Sequence, residues 1–359
     1  FSEPGYIPKI PVVSLDREEG LEIIQLIKKD NQGIMHLFYN PDFIAHFSSR
    51  GPVSPFYIKP DMVAPGAYIN STQTNGIYNF TSGTSFAAPH VSGAAALLLQ
   101  KNPELENHEI KSLLVTTVQP VSDAYGQEFS LHESGSGRLD IANAYNAKLI
   151  INPTNFVINL SKDQPSIEEQ LELKLIEGNL EKIDVRFEGP KFIEFTHDIK
   201  NNNLQIGLNI VEEKYGEHEG KIFINHDKIQ YTIPVLIHHT EGSISIIQEN
   251  EKLFFEINHP DEWSFAKITI INSKNGNSDT ISTIPDKKTS LEIYENGEYW
   301  IDAKIKINGN TSDAFNTIKI NSLSEKIEKS ELRDIPEKQI ILIVSIIVII
   351  GIAGLIIRK

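Results

Sequence analysis

Gly83, Thr84 and Ser85, in the stretch TSGTSFAAPHVSGAAALLLQ from Thr81 to Gln100, are the residues whose types and spacing best suit chemistry. A serine hydroxyl is a weak nucleophile until a neighbouring base takes its proton. At the start of a helix it would have free backbone N–H groups around it and the positive end of the helix dipole behind it. Such a setting stabilises the oxyanion of a tetrahedral intermediate, so the chemistry on offer is acyl transfer. Gly83 would allow a sharp turn and a close approach by substrate. Pro89 is tolerated if it falls near the first turn. The same residues admit a structural alternative, in which Ser85 only caps the helix.

The elements that must position this serine can be read on either side of it. Ser85 to Lys101 is apolar on nearly all faces, which predicts a buried helix. A second helix is expected from Asn107 to Thr116, with Glu109 in its first turn. Upstream, Ile10 to Tyr39 reads as strand, helix, strand, the helix being DREEGLEIIQLIKK. After Leu149 the texture changes to strands and turns. Ile222, Ile224, Ile229, Tyr231, Ile233 and Val235 alternate around His226-Asp227, which predicts a hairpin. Pro234 then places its strand at an edge or near its end. In YENGEYWIDAKIKING the pair Asn296-Gly297 signals a type I′ turn, with Tyr299, Ile301, Ala303, Ile305 and Ile307 on one face. Two β-sandwiches of the immunoglobulin or fibronectin kind are expected here.

GTSFAAPHVSGAAALL resembles the active-serine signature of the subtilisin-like serine proteases, the subtilases. Three further stretches agree in the family's order. FSSRGP (47–52) and IKPDMVAPG (58–66) resemble segments preceding the serine, and SGSGRLDIANA (134–144) resembles the closing G-x-G-x-x-D helix. HEIKSLLVTTV resembles the helix between them, and Phe86 stands where methionine is more usual. The resemblance implies that Ser85 is the nucleophile with its own N–H in the oxyanion hole, Thr84 adding a hydroxyl and Gly83 supporting the turn. It also implies an aspartate, a histidine and an oxyanion asparagine ahead of the insertion that some subtilases carry. The family's usual contexts for the aspartate and histidine, D-[ST]-G and H-G-[ST], do not occur in the 359 residues, so these three residues are expected upstream of Phe1. Calcium is common in the family, but no ligand set is identifiable from the sequence and no other cofactor is implied.

Other candidates are weighed against blander readings. His90 lies five positions from Ser85 on one helix and reads as structural. His36 and His46 have nothing that selects them. His218, His238 and His239 read as a solvated face, metal binding being the alternative. Asp61 reads as a turn residue. Asn70, Asn79, Asn159 and Asn310 each open an Asn-x-Ser/Thr sequon.

A net charge of −15 without a basic stripe argues against nucleic acid as a partner. The absence of cysteine excludes disulfides and thiolate metal sites. Ile340 to Ile357 is uncharged and apolar, and as a helix would span roughly 27 Å, close to a bilayer's hydrocarbon thickness. Arg358 and Lys359 predict a cytoplasmic carboxy terminus and an outward-facing bulk, placing the chain at the cell membrane.

The expected architecture is a partial α/β subtilisin-like domain (three-layer, mostly parallel sheet), two all-β sandwiches and a transmembrane helix. Its boundaries are 1–42 for the end of a protease-associated insertion, 43–149 for the catalytic part, and 150–239 and 240–321 for the sandwiches. A stalk follows at 322–338, the span at 339–357 and a tail at 358–359. The expected function is part of a membrane-anchored serine endopeptidase acting on proteins or peptides, inactive as this stretch alone. The alternative is a surface binding or scaffold protein with a vestigial protease module.

Overall fold

The computed structural model describes residues 17–28, 43–180 and 183–321. Helix α1 (Arg17–Ile27) agrees with the expected helix, while the strands expected beside it lie outside the described residues. The apolar run 340–357 also lies outside them. Among the described residues no helix is long and apolar enough to cross a membrane.

Residues 43–148 hold β1 (Ile69–Thr72), β2 (Tyr78–Thr81), α2 (Thr84–Lys101), α3 (Asn107–Thr116), α4 (Leu131–Ser134) and α5 (Ile141–Asn146). The expected parallel sheet is not formed among the described residues. β1 and β2 pair antiparallel, Ile69 opposite Thr81, because their short connection can close a hairpin but not the long crossover that parallel strands need. The expectation that α2 is buried all round is also corrected. Only Ala94 and Leu98 are buried, on the side that meets α3 and α5, and Leu97 and Leu99 stay exposed. α3 begins with a capping box: the Glu106 side chain accepts from the N3 backbone while Glu109 accepts from the Glu106 N–H at 2.9 Å.

The next strands form two facing sheets. One runs in the order β3 (Leu149–Asn152), β5 (Ser166–Leu175), β8 (Asn203–Ile210), β7 (Ile193–Lys200). The other is β4 (Phe156–Ser161), β10 (Ile229–Thr240), β9 (Gly216–His226), β6 (Asp184–Glu188). Their inner faces share one core, to which Leu171, Leu173, Leu204 and Ile206 contribute from one side and Ile158, Ile222, Ile224, Tyr231 and Ile233 from the other. The β9–β10 hairpin turns at Asp227-Lys228, both with positive φ (48° and 70°), as a two-residue turn of the I′ kind demands. A one-residue slip would turn Ile222, Ile224, Tyr231, Ile233 and Val235 out together, at roughly 1.5–3 kcal/mol each, so the core fixes the register more strongly than the turn.

Pro234 departs from expectation, since β10 is a central strand. β4 pairs with β10 only from Val235 onward, so at Pro234 the strand has one neighbour, β9, and is locally an edge.

The last block pairs a sheet β11 (Ser243–Glu249), β12 (Lys252–Asn258), β15 (Thr289–Glu292) with a sheet β14 (Ser278–Thr283), β13 (Phe265–Asn272), β16 (Gly297–Ile307), β17 (Asn310–Ile320). Tyr299, Ile301, Ala303, Ile305 and Ile307 all face its core. Asn296-Gly297 is not a hairpin turn, because β15 and β16 belong to opposite sheets and the dipeptide lies in the arch between them. The hairpin forms at the second Asn-Gly pair of the same stretch, Asn308-Gly309, with φ of 47° and 88°, joining β16 to β17.

The three parts are packed together. Ala94, Leu98, Ile110, Leu113 and Ala144 belong to the same core cluster as the first pair of sheets. The Ser112 hydroxyl donates to the Ile151 carbonyl and accepts from the Ile151 N–H, both at 2.8 Å, so α3 and β3 are joined by a buried two-way bond. Tyr231, fully buried, accepts from the N–H groups of Lys148 and Leu149 where the chain passes into the sheets.

Candidate active site

The four stretches singled out in the sequence converge on the amino end of α2. Gly83 is the N-cap of that helix, and its N–H donates to the Gly66 carbonyl at 2.8 Å. A Cβ on Gly66 would lie 2.9 Å from the Gly83 carbonyl oxygen, so the two backbones approach as only glycine permits. The 58–66 segment is stitched in turn to the SGSGRLD loop. Ser136 donates to the Asp61 carbonyl at 3.0 Å, Val63 to Gly137 at 2.9 Å and Leu139 to Val63 at 2.8 Å. Gly135, at φ 58°, leaves no room for a Cβ, which would meet the Pro60 carbonyl oxygen at 2.3 Å. Asp140 closes this loop as the N-cap of α5, accepting from the Asn143 N–H at 2.9 Å. Gly51 of FSSRGP donates to the His132 carbonyl at 2.8 Å.

Ser85 is therefore the second residue of α2 and not its cap, which removes the structural alternative for its side chain. Thr84 and Ser85 are exposed, and their N–H groups, at the first two helical positions, have no intrahelical acceptor. Those donors can serve an anionic oxygen that develops beside the Ser85 hydroxyl. Pro89 lies in the second turn, not the first, where it removes the helical donor for the Ser85 carbonyl. A cleft of about 620 Å³ runs beside these turns, between Thr84, Ala87 and Ala88 on the helix and Met62, Ala64 and Pro65 opposite.

No described histidine or carboxylate is hydrogen-bonded to the Ser85 hydroxyl. His90 is engaged with the Phe86 carbonyl of its own helix at 2.8 Å. His46 is exposed beside Phe47 in the loop after residue 43, and His36 lies outside the described residues. Asp61 does more than turn the chain. It pairs with Lys59 and with Lys111 of α3 (2.7 Å); burial pushes its carboxyl up, but the two lysines together outweigh burial and leave it below the usual range.

One expectation about side chains away from Ser85 is corrected. His238 and His239 are buried, at 5% and 2% exposure, because β10 is covered on both faces. Asn159, on β4, is half-buried, with its side-chain oxygen enclosed. Asn70, Asn79 and Asn310 are exposed. Among the described residues no group of three or more histidines and carboxylates could hold a metal ion. The sequence reading missed the contacts of Glu217 and Glu219 with α4. Glu219 accepts from the Ser130 hydroxyl (2.6 Å) and the Leu131 N–H (2.9 Å), and Glu217 from His132 Nε2 (2.8 Å). Their alternation in GEHEG was the available signal, since two carboxylates on one strand face near a sheet's end suit a helix amino terminus.

Residues 10–137 match the family model described as the Subtilase family. The minor extracellular protease Vpr of Bacillus subtilis (strain 168) is 26% identical over 253 residues, 64% of this chain and 31% of Vpr. Subtilisin-like protease SBT1.6 of Arabidopsis thaliana is 36% identical over 135 residues, covering 31% of this chain and 18% of that protein. The PII-type proteinase of Lacticaseibacillus paracasei is 36% identical over 136 residues, 33% of this chain and 7% of the proteinase. The chain thus spans less than a third of the length of each of these relatives. Residues 10–137 are thus similar to part of a subtilase domain.

Proposed function

We propose that this chain is the carboxy-terminal part of an outward-facing, membrane-anchored subtilisin-like serine endopeptidase. Ser85 attacks the scissile carbonyl of a protein or peptide substrate, and its own N–H receives the oxyanion, with the Thr84 hydroxyl and an asparagine from outside these residues beside it. A histidine base and an orienting aspartate complete the site from residues outside the 359 described by this sequence. The observation that carries the reading is the position of Ser85, exposed as the second residue of α2 with free N–H donors beside it. The two pairs of β-sheets, read as immunoglobulin- or fibronectin-like sandwiches, support the catalytic part. The apolar run 340–357 supplies the anchor.

A serine-directed phosphonate tests this on the protein as its source produces it. Stoichiometric labelling that disappears in Ser85→Ala supports the enzyme, and the 359-residue chain alone should not be labelled. A second reading, a scaffold with a vestigial protease module, is favoured by the lack of any described base bonded to Ser85. Absence of labelling in a folded, complete protein would establish that reading instead. The anchor is tested separately: the protein should stay with membranes through an alkaline wash and be released when residues 340–357 are deleted.

A further inference from the structure

His238 stands where all three parts of the molecule meet, on the outer face of β10, with 5% exposure. The loop 52–58 lies against it, and the Pro55 carbonyl oxygen is 2.7 Å from its Nε2. A carbonyl cannot donate, so Nε2 carries the proton and the neutral ring turns the lone pair of Nδ1 the other way. That lone pair faces a carboxylate, Glu217 Oε2 of β9, at 3.8 Å, too far for a hydrogen bond. Phe315 of β17 packs on the ring, and Phe56 of the loop stacks on Trp300 of β16.

The surrounding charges are largely committed to other partners. Glu217 accepts from His132 of α4, itself 9% exposed. Lys304 of β16 pairs with Asp313 of β17 at 2.8 Å and stands 3.6 Å from Asp302, whose carboxyl is raised by burial. The loop 52–58 brings no charged group. A proton arriving on Nδ1 would put a cation on a buried ring at the wall of a cavity of about 700 Å³, with its nearest carboxylate shared and out of bonding reach.

We propose that His238 makes this junction acid-labile: the loop 52–58 is docked while the ring is neutral and loosens when the ring is protonated. Burial lowers the proton affinity of His238, more than the Pro55 carbonyl and Glu217 raise it. A histidine with a lower pKa docked than undocked holds the docked state above its ordinary range, near pH 6.5, and loses it as the pH falls through that range. The loop continues into the segment ending at Gly66, which bonds the N-cap of the helix bearing Ser85, so the loosening falls on the chain that fixes the candidate site.

Hydrogen–deuterium exchange of the whole chain from about pH 7.5 to about pH 5.5, corrected for intrinsic exchange, tests the proposal. Protection of amides in 52–58 should fall severalfold. In His238→Gln, which keeps an N–H for the Pro55 carbonyl but does not titrate, it should stay level. Unchanged protection in the native chain, or an equal fall in the variant, overturns the proposal. Should that variant not fold, Glu217→Gln serves. Without the carboxylate the charged ring is less favoured, so the acid-induced loss should be larger, and a smaller loss overturns the idea.

Discussion

The N–H of Gly83 donates to the carbonyl of Gly66 at 2.8 Å, so the turn in front of Ser85 is held by the far end of a different stretch of sequence. The serine's place as second residue of α2 therefore depends on how the 58–66 segment is seated, and that segment is held by the SGSGRLD loop.

Ser85→Ala should abolish phosphonate labelling of the complete protein and leave stability within about 0.5 kcal/mol, because the side chain is exposed and caps nothing. Labelling together with thermal denaturation measures both.

Gly135→Ala should destabilise by roughly 2–4 kcal/mol, since the residue is at φ 58° and its Cβ would lie 2.3 Å from the Pro60 carbonyl oxygen. Gly93→Ala is the control. Its Cβ would meet nothing within 4 Å on an exposed part of α2, so stability should rise by about 0.5–1 kcal/mol. Urea denaturation of the two variants should give shifts of opposite sign.

Ser112→Ala should cost about 2–4 kcal/mol, because it leaves both the N–H and the carbonyl of Ile151 buried without their partner. The midpoint of chemical denaturation should drop. A loss below about 0.5 kcal/mol would mean that α3 and β3 are not joined in this way.

Glu109, buried at 2%, is held below the ordinary carboxylate range chiefly by its bond to Lys174 of β5, with the Glu106 N–H adding to this and burial opposing it. A lowered folded-state pKa contributes stability that is present above the unfolded value, about 4.3, and is lost as the pH falls through the folded value. Glu109→Gln should therefore be less stable than the native chain near neutrality, and the gap should close below about pH 4. Denaturation midpoints measured across that range decide it.

Asn70, Asn79 and Asn310, all exposed, should be open to glycan attachment when the protein is made in a secretory host. Peptide mass spectrometry reads the occupancy directly.

Much of the local structure was legible because its cause is local. α3 starts at Asn107 as its capping box dictates, and the hairpin at Asp227-Lys228 follows from alternation on both sides of a turn. The first Asn-Gly pair was read as the turn because two identical turn signals bracket one strand. Only the strand's partner, β17 and not β15, decides which of them closes a hairpin.

By itself the sequence determined the nucleophile candidate, the order of the motifs around it and the apolar faces of the sheets. Each of these depends on residue type and spacing along the chain. The tertiary structure alone decided that Ser85 is no cap, that α2 is covered on one side, and that Asp61 answers two lysines. It also decided that His238 and His239 are buried. Their strand alternates like a half-exposed one, yet the face bearing His238 is closed by a loop and a sheet far away in sequence, and His239, on the opposite face, lies against Phe192, Tyr215 and the Lys214 carbonyl. Burial is a property of what packs against a residue, and periodicity reports only which way its side chain points.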